Sequence, residues 1–156
     1  MSQAQTLSIK PVLPIFRPLT DALAPFGEPL ARVAVGAMLM PHGAQKLFGW
    51  FGGYGLAATG QFFATKLGLP ASMALVTGLI EFGGGLLLAL GLATRFAAGA
   101  AAVMMAVAVI HVHLGNGYFW TSGGYEYPLL WGLLAFSFVL RGGGRYSLDA
   151  KIGYEL

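Results

Sequence analysis

No cysteine occurs in the chain. Disulfide exchange, thiolate catalysis, iron–sulfur ligation and cysteine-based zinc sites are therefore excluded within it. Charge is scarce as well: 10% of the 156 residues are charged, against 56% hydrophobic. A soluble domain of this size does not tolerate that balance, so the class is integral membrane protein. The net charge is +3, but the basic residues are spread out and mostly flank apolar spans. That pattern belongs to membrane orientation and excludes a nucleic-acid footprint, which would cluster Lys and Arg on one face. The N-terminus also lacks an uninterrupted apolar run and a cleavage site, so it does not read as a signal peptide.

What is present begins with proline. Pro11, Pro14, Pro18, Pro25 and Pro29 predict that residues 1–28 form an irregular or interfacial cytoplasmic segment, with one short amphipathic turn near Leu19–Leu30. Residues 29–156 then form a single membrane domain. Charges and prolines bound four spans, at about 29–48, 70–92, 95–114 and 127–141. The expected fold is all-α: an integral membrane four-helix bundle, because lipid leaves no water to satisfy an open strand edge. Four spans put both termini on one side, together with Lys10, Arg17, Arg32, Arg95, Arg141, Arg145 and Lys151. Only Lys46 and Lys66 fall opposite, so the termini are expected in the cytoplasm. Ala98, Ala102 and Ala106, and Gly78, Gly84 and Gly85, read as helix contacts in lipid.

Glu81 is the lone charge between Leu67 and Thr94. An ionisable group at that depth costs about 2.5–3.5 kcal/mol on insertion scales and usually has a partner and a function. His42 lies about 15 Å beyond Arg32, Glu81 about 21 Å from Arg95, and His111 about 24 Å from Arg95 at 1.5 Å per residue. All three therefore fall in the middle to outer part of the bilayer. His42, Gln45 and Lys46 share one helix face, and Pro41 denies a hydrogen bond to Ala37. Thr77, Gly78, Gly84 and Gly85 leave room beside Glu81. His111 and His113 diverge by about 200° at 100° per residue and do not chelate together.

Each of these residues also has a plain structural reading. Glu81 can be a neutral acid fixing helix register, bonded to a backbone carbonyl or to His111. His42 can cap polar contacts at the interface, and His113 reads as interfacial. Lys46 is expected to snorkel to the outer headgroups. Trp50, Phe51, Tyr54, Tyr118, Phe119, Trp120, Tyr125 and Tyr127 read first as an aromatic belt, dense enough to wall a ligand pocket. Gly142–Gly144 reads as a flexible exit from the last span. Ser147 is a candidate N-cap for a short helix through Ile152, with Asp149 in its positive first turn and the tail lying at the membrane surface.

At these residues the chain resembles the DoxX family of small bacterial four-helix membrane proteins. The segments that carry the resemblance are RVAVGAMLMPHGAQKLFGWFGGYGL, GLIEFGGGLLLALGLATR, the His111 region, GGYEYPLLW and GGGRYSLDAKIG. They run in order from Arg32 to the C-terminus. The resemblance implies a multi-pass protein of the bacterial inner membrane. Some relatives are subunits of a thiosulfate:quinone oxidoreductase, and others are linked to membrane complexes that handle oxidative and thiol stress. The family pattern picks out His42, Gln45, Lys46, Glu81, His111, Glu126, Tyr127, Pro128 and Asp149.

The leading expectation is a non-autonomous component of a membrane oxidoreductase that binds a small redox ligand in the outer half of the bundle. A quinone is the candidate cofactor, and membrane redox proteins are the expected partners. Glu81, His111 and His42 are the expected catalytic set, with Glu81 and His111 exchanging protons with the ligand. Gln45, Lys46, Tyr118, Trp120, Glu126 and Tyr127 are the expected cofactor-binding set. The alternatives are a transporter or channel for protons or small solutes, acting as a homodimer, and a scaffold for partner enzymes. A 2-His-1-carboxylate metal set from His42, His111 and Glu81 is a minor option by ligand type.

Overall fold

The computed structural model describes Lys10 and residues 12–155. Among these the chain is all-helical, with no strand. Helix α1 runs Arg17–Phe48, α2 Gly55–Lys66, α3 Met73–Leu90, α4 Thr94–Asn116, α5 Glu126–Arg141 and α6 Leu148–Ile152. Three helical runs are long and apolar enough to cross a membrane: Pro14–Phe48, Met73–Leu90 and Thr94–Asn116. Their outward faces stay apolar, with Leu19, Leu30, Met38, Leu79, Phe96 and Val103 all exposed. Lipid, not water, suits such a surface. Helix α5 has 16 residues, about 24 Å at 1.5 Å per residue, so it falls short of a full span by itself.

The first helix departs from expectation. An irregular or interfacial segment with one short turn near Leu19–Leu30 was expected through residue 28, yet a continuous α1 begins at Arg17 and runs through Pro25, Pro29 and Pro41. Pro18 sits in the opening turn, where its missing N–H is harmless. Pro25 and Pro29 each leave a carbonyl without its helical donor, but this end of α1 is largely exposed and other donors can reach it. Residues 1–9 and Pro11, which belong to the same expected segment, lie outside the described residues. Helix α2 is a second departure: the sequence reading placed no helix between the first two spans.

Antiparallel helices α1 and α3 pack face to face, and α4 packs along α5. Val35, Leu39, Leu88, Ala97, Ala98, Ala101, Ala135 and Phe138 join the two pairs in one core. Glycine sets the α1–α3 approach. A Cβ added at Gly36 would lie 2.6 Å from the Ala89 nitrogen, and one at Gly43 2.7 Å from the Gly78 oxygen. Two glycines seven residues apart on each helix thus allow near backbone contact.

The chain closes at one end of the bundle. Arg32 is 2% exposed and donates to Leu88 O and Ala89 O at 2.7 Å each and to Tyr146 O at 2.9 Å. It thereby adds donors to carbonyls at the end of α3, where Leu88 O also accepts from the Gly91 N–H at 3.1 Å. Arg32, counted in the sequence among the charges of the cytoplasmic side, is here a buried fastener. Ser147 caps α6, its hydroxyl accepting from the Ala150 N–H at 3.0 Å. Asp149, by contrast, serves a different helix. Its carboxylate accepts from the Ala93 N–H at 2.7 Å, the Thr94 N–H at 2.9 Å and the Thr94 hydroxyl at 2.6 Å. This caps α4 and holds Ala93 at a positive φ of 48°.

Burial pushes the Asp149 carboxyl up. The Thr94 and Ala93 hydrogen bonds and the Arg32 charge outweigh it and leave the group below its ordinary value. Nor is Gly142–Gly144 a flexible exit: a Cβ at Gly143 would lie 2.6 Å from Thr94 Oγ1, and one at Gly144 2.5 Å from Glu28. The tail from Gly142 to Asp149 is packed into the bundle end.

Candidate functional site

Glu81 sits in a π-helical turn, Ile80–Gly84, inside α3. The Gly85 N–H there donates to Ile80 O, five residues back. Such one-turn widenings occur mostly at functional sites, and Gly83, Gly84 and Gly85 make the backbone permissive. His111 and His113 occupy a second π-helical turn, Val109–His113, in α4. The sequence reading had selected Glu81 and His111 for depth and charge alone.

The partner of Glu81 is Lys46. Lys46 Nζ lies 2.8 Å from Oε1 and 2.6 Å from Oε2 of Glu81. The Glu81 side chain is 9% exposed and that of Lys46 24%. Lys46 therefore does not snorkel to the headgroups; it turns into the bundle. The backbone explains why. The Gly43–Gly78 approach brings the helices together one turn away. Each Cα–Cβ bond tilts toward its own helix N-terminus, so on antiparallel helices the two side chains reach toward each other. Lys46 also stands in the last turn of α1, where the helix dipole favours a cation. In a low-dielectric interior this bidentate contact offsets part of the desolvation cost of both charges.

The surroundings are apolar and partly open. Phe48 packs edge-on against Phe82, with ring centroids 5.4 Å apart. A Cβ at Gly83 would meet nothing within 4 Å, and one at Gly84 only Ile80 at 3.9 Å. One turn of α3 next to Glu81 thus carries no side chain at Gly83 or Gly84 and forms a bare ledge.

The other expected site residues fall into separate groups. His42 and His111 are exposed, and among the described residues no hydrogen bond or ion pair joins either to Glu81. His113 Nδ1 lies 2.7 Å from Gly123 O. Gln45 donates to Phe51 O at 3.2 Å and shapes the Trp50–Gly52 turn. Tyr118 and Trp120, in the loop before α5, gather with Glu126 and Tyr127 of its first turn. Glu126 accepts from the Trp120 N–H at 3.1 Å, Trp120 stacks on Tyr127 at 5.2 Å, and Tyr118 meets Tyr125 edge-on at 5.5 Å. These contacts close the loop on itself. No group of three His, Asp or Glu side chains among the described residues is placed to hold a metal.

Gly78 and Gly85 were read as helix contacts, but Arg32 and the matching pair Gly36 and Gly43 were missed as determinants. The signal was in the sequence: Gly36 and Gly43 on the first span, and Gly78 and Gly85 on the second, repeat at the same spacing. Matching them across an antiparallel pair puts Lys46 near Glu81.

Two curated proteins align over most of the chain. An uncharacterized protein of Haemophilus influenzae is 38% identical over 130 residues, 81% of this chain and 91% of that protein. A Bacillus subtilis protein named "Putative oxidoreductase CatD" is 35% identical over 123 residues, 79% of this chain and 84% of that protein. No solved structure matches the chain. The DoxX family model matches residues 28–114, which hold Arg32, both glycine pairs, Lys46 and Glu81, and with these relatives it shows that the chain is a membrane protein belonging to the DoxX family.

Proposed function

We propose that the chain is a component of a membrane oxidoreductase system of the bacterial inner membrane, and that the Lys46–Glu81 pair is where a quinone-like redox ligand docks. The observation that carries this is a bonded ammonium–carboxylate pair inside a lipid-facing bundle, beside the bare Gly83–Gly84 ledge. The oxidoreductase in the name of the Bacillus subtilis relative supports the same class. In this reading α5, with its aromatic loop, completes a four-helix bundle, and both termini face the cytoplasm with most of the basic residues.

A quinone would accept or release two electrons with two protons, the electrons passing to or from a partner protein. Lys46 would donate a hydrogen bond to a ring oxygen and steady negative charge developing there. Glu81, buried in the bundle, would take up or return a proton. Phe48 and Phe82 would pack on the ring face, and the glycine ledge would admit it from the lipid side. His111, exposed on α4, would exchange protons with the surroundings, and His42, exposed on α1, would stand on the lipid side.

The test is purification in mild detergent without stripping lipids, followed by extraction and chromatography of bound quinone. Wild type should carry quinone, and Lys46→Gln and Glu81→Gln should lose it while keeping their helix content. If wild type carries none and Glu81→Gln leaves electron transfer in membranes unchanged, the proposal fails. Proton or solute flux in liposomes without any redox partner, abolished by Glu81→Gln, would assign the pair to transport instead.

A further inference from the structure

At the end of the bundle away from Glu81 lies a cleft of about 450 Å³, lined by residues of α1 and by Arg141, Arg145 and Tyr146. Its volume lies in the range of small-ligand sites. Glu28 is its one carboxylate, and it is already engaged: Arg141 Nη2 donates to Glu28 Oε2 at 3.2 Å. Arg145 makes no hydrogen bond among the described residues. Its guanidinium is held over the Tyr146 ring, 5.7 Å from the centroid, and Tyr146 is itself stacked on Phe26 at 5.5 Å. The cleft therefore carries two guanidinium groups, one carboxylate and a stacked aromatic pair beneath the arginine that has no ion-pair partner among the described residues.

From this arrangement we infer that the cleft binds a phosphate-bearing anion, namely the headgroup of an anionic phospholipid. A guanidinium fork matches phosphate oxygens in geometry and charge. The outer stripe of the same turns of α1 is apolar and exposed, at Leu19, Leu23, Phe26 and Leu30. Lipid chains can lie against that stripe while the phosphate enters the cleft from the same interface. Gly27 lines the cleft, and a Cβ there would meet nothing within 4 Å. The open space is thus bounded on one side by a residue with no side chain. Arg17, Arg95 and Arg141 at this end are paired with Asp21, Glu155 and Glu28, whereas Arg145 has no ion-pair partner among the described residues and is left to an anionic headgroup.

The experiment uses the full chain in detergent, mixed with phosphatidylglycerol or phosphatidylcholine and read by native mass spectrometry. Wild type should retain phosphatidylglycerol about tenfold more than phosphatidylcholine, the order expected for a charged hydrogen bond. Arg145→Gln should remove that preference. Gly27→Phe should also remove it with every charge in place, because the ring fills the cleft. Lys66→Gln, at the other end of the bundle, should change nothing. Circular dichroism of each variant confirms the fold. Inorganic phosphate added at millimolar concentration separates the sources. Displacement of lipid by phosphate marks a site for the phosphate group itself, and retention marks a site that also needs the lipid chains; both support the inference. Equal retention of the two lipids by wild type overturns it. So does a preference that survives both Arg145→Gln and Gly27→Phe, or one lost equally in Lys66→Gln.

Discussion

Lys46 and Glu81, 35 residues apart, share both carboxylate oxygens at 2.8 and 2.6 Å. Neither is placed by its own helix alone; the contact exists because α1 and α3 approach at glycine. Removing one member leaves a buried charge unpaired, which costs about 3–5 kcal/mol. Glu81→Gln and Lys46→Gln should therefore each lower stability in detergent strongly. Replacing both together, as Lys46→Met with Glu81→Leu, should recover most of the loss. Thermal unfolding of the four proteins measures the coupling, and purely additive losses would rule out a bonded pair.

The glycines of α1 divide into two kinds. Gly43→Ala forces a methyl group against the α3 backbone and should cost about 1–3 kcal/mol, as overpacking does. Gly27→Ala meets open space and should be neutral or stabilising by up to about 1 kcal/mol, the helix-propensity difference. Comparing the two melting temperatures checks this. Equal effects would mean that the α1–α3 crossing lies elsewhere.

Arg32 bonds three carbonyls from two directions, Leu88 and Ala89 on α3 and Tyr146 in the tail. A lysine carries its donors on a single nitrogen and cannot bridge that spread. Arg32→Lys should then cost about 2 kcal/mol or more, since hydrogen bonds to charged groups are worth about 1.5–3 kcal/mol each. The tail should also become cleavable near Arg145 and Tyr146. Limited proteolysis followed by mass spectrometry would show the new fragment, and an unchanged digestion pattern would refute the fastening role.

Asp149 makes stability depend on acid. Its folded-state carboxyl lies below its ordinary value, the Thr94 and Ala93 hydrogen bonds and Arg32 outweighing burial. The clasp is therefore fully present above the unfolded value of about 3.9 and is lost as pH falls through the lower folded value. Melting temperature should hold steady from pH 7 to about 5 and then drop toward pH 2.5. Asp149→Asn should start lower and lose less over the acid range. A variant as acid-sensitive as wild type would place the titrating group elsewhere.

The helical, membrane-spanning character was legible because hydropathy and charge act locally: each apolar run needs lipid whatever its neighbours do. Ser147 was legible as an N-cap for the same reason, its hydroxyl reaching a backbone N–H three residues on. Glu81 and His111, marked from the sequence by their expected depth, both lie in π-helical turns. Helix boundaries near proline were less so, since α1 continues through Pro25 and Pro29 wherever the orphaned carbonyls remain reachable.

Which side chains meet was decided by tertiary packing. Composition assigned Lys46 to the headgroups and offered His111 or His42 to Glu81, because a sequence does not state which helix faces touch. The glycine pairs at 36 and 43 and at 78 and 85 set the crossing. The backward tilt of side chains on antiparallel helices then brought Lys46, and neither histidine, into contact with the carboxylate. Asp149 and Arg32 follow the same rule. Their charges were plain in the chain, but their partners at Thr94 and Leu88 lie 55 and 56 residues away. Only the folded bundle brings them together, where unpaired helix-end groups need donors and acceptors that water cannot supply.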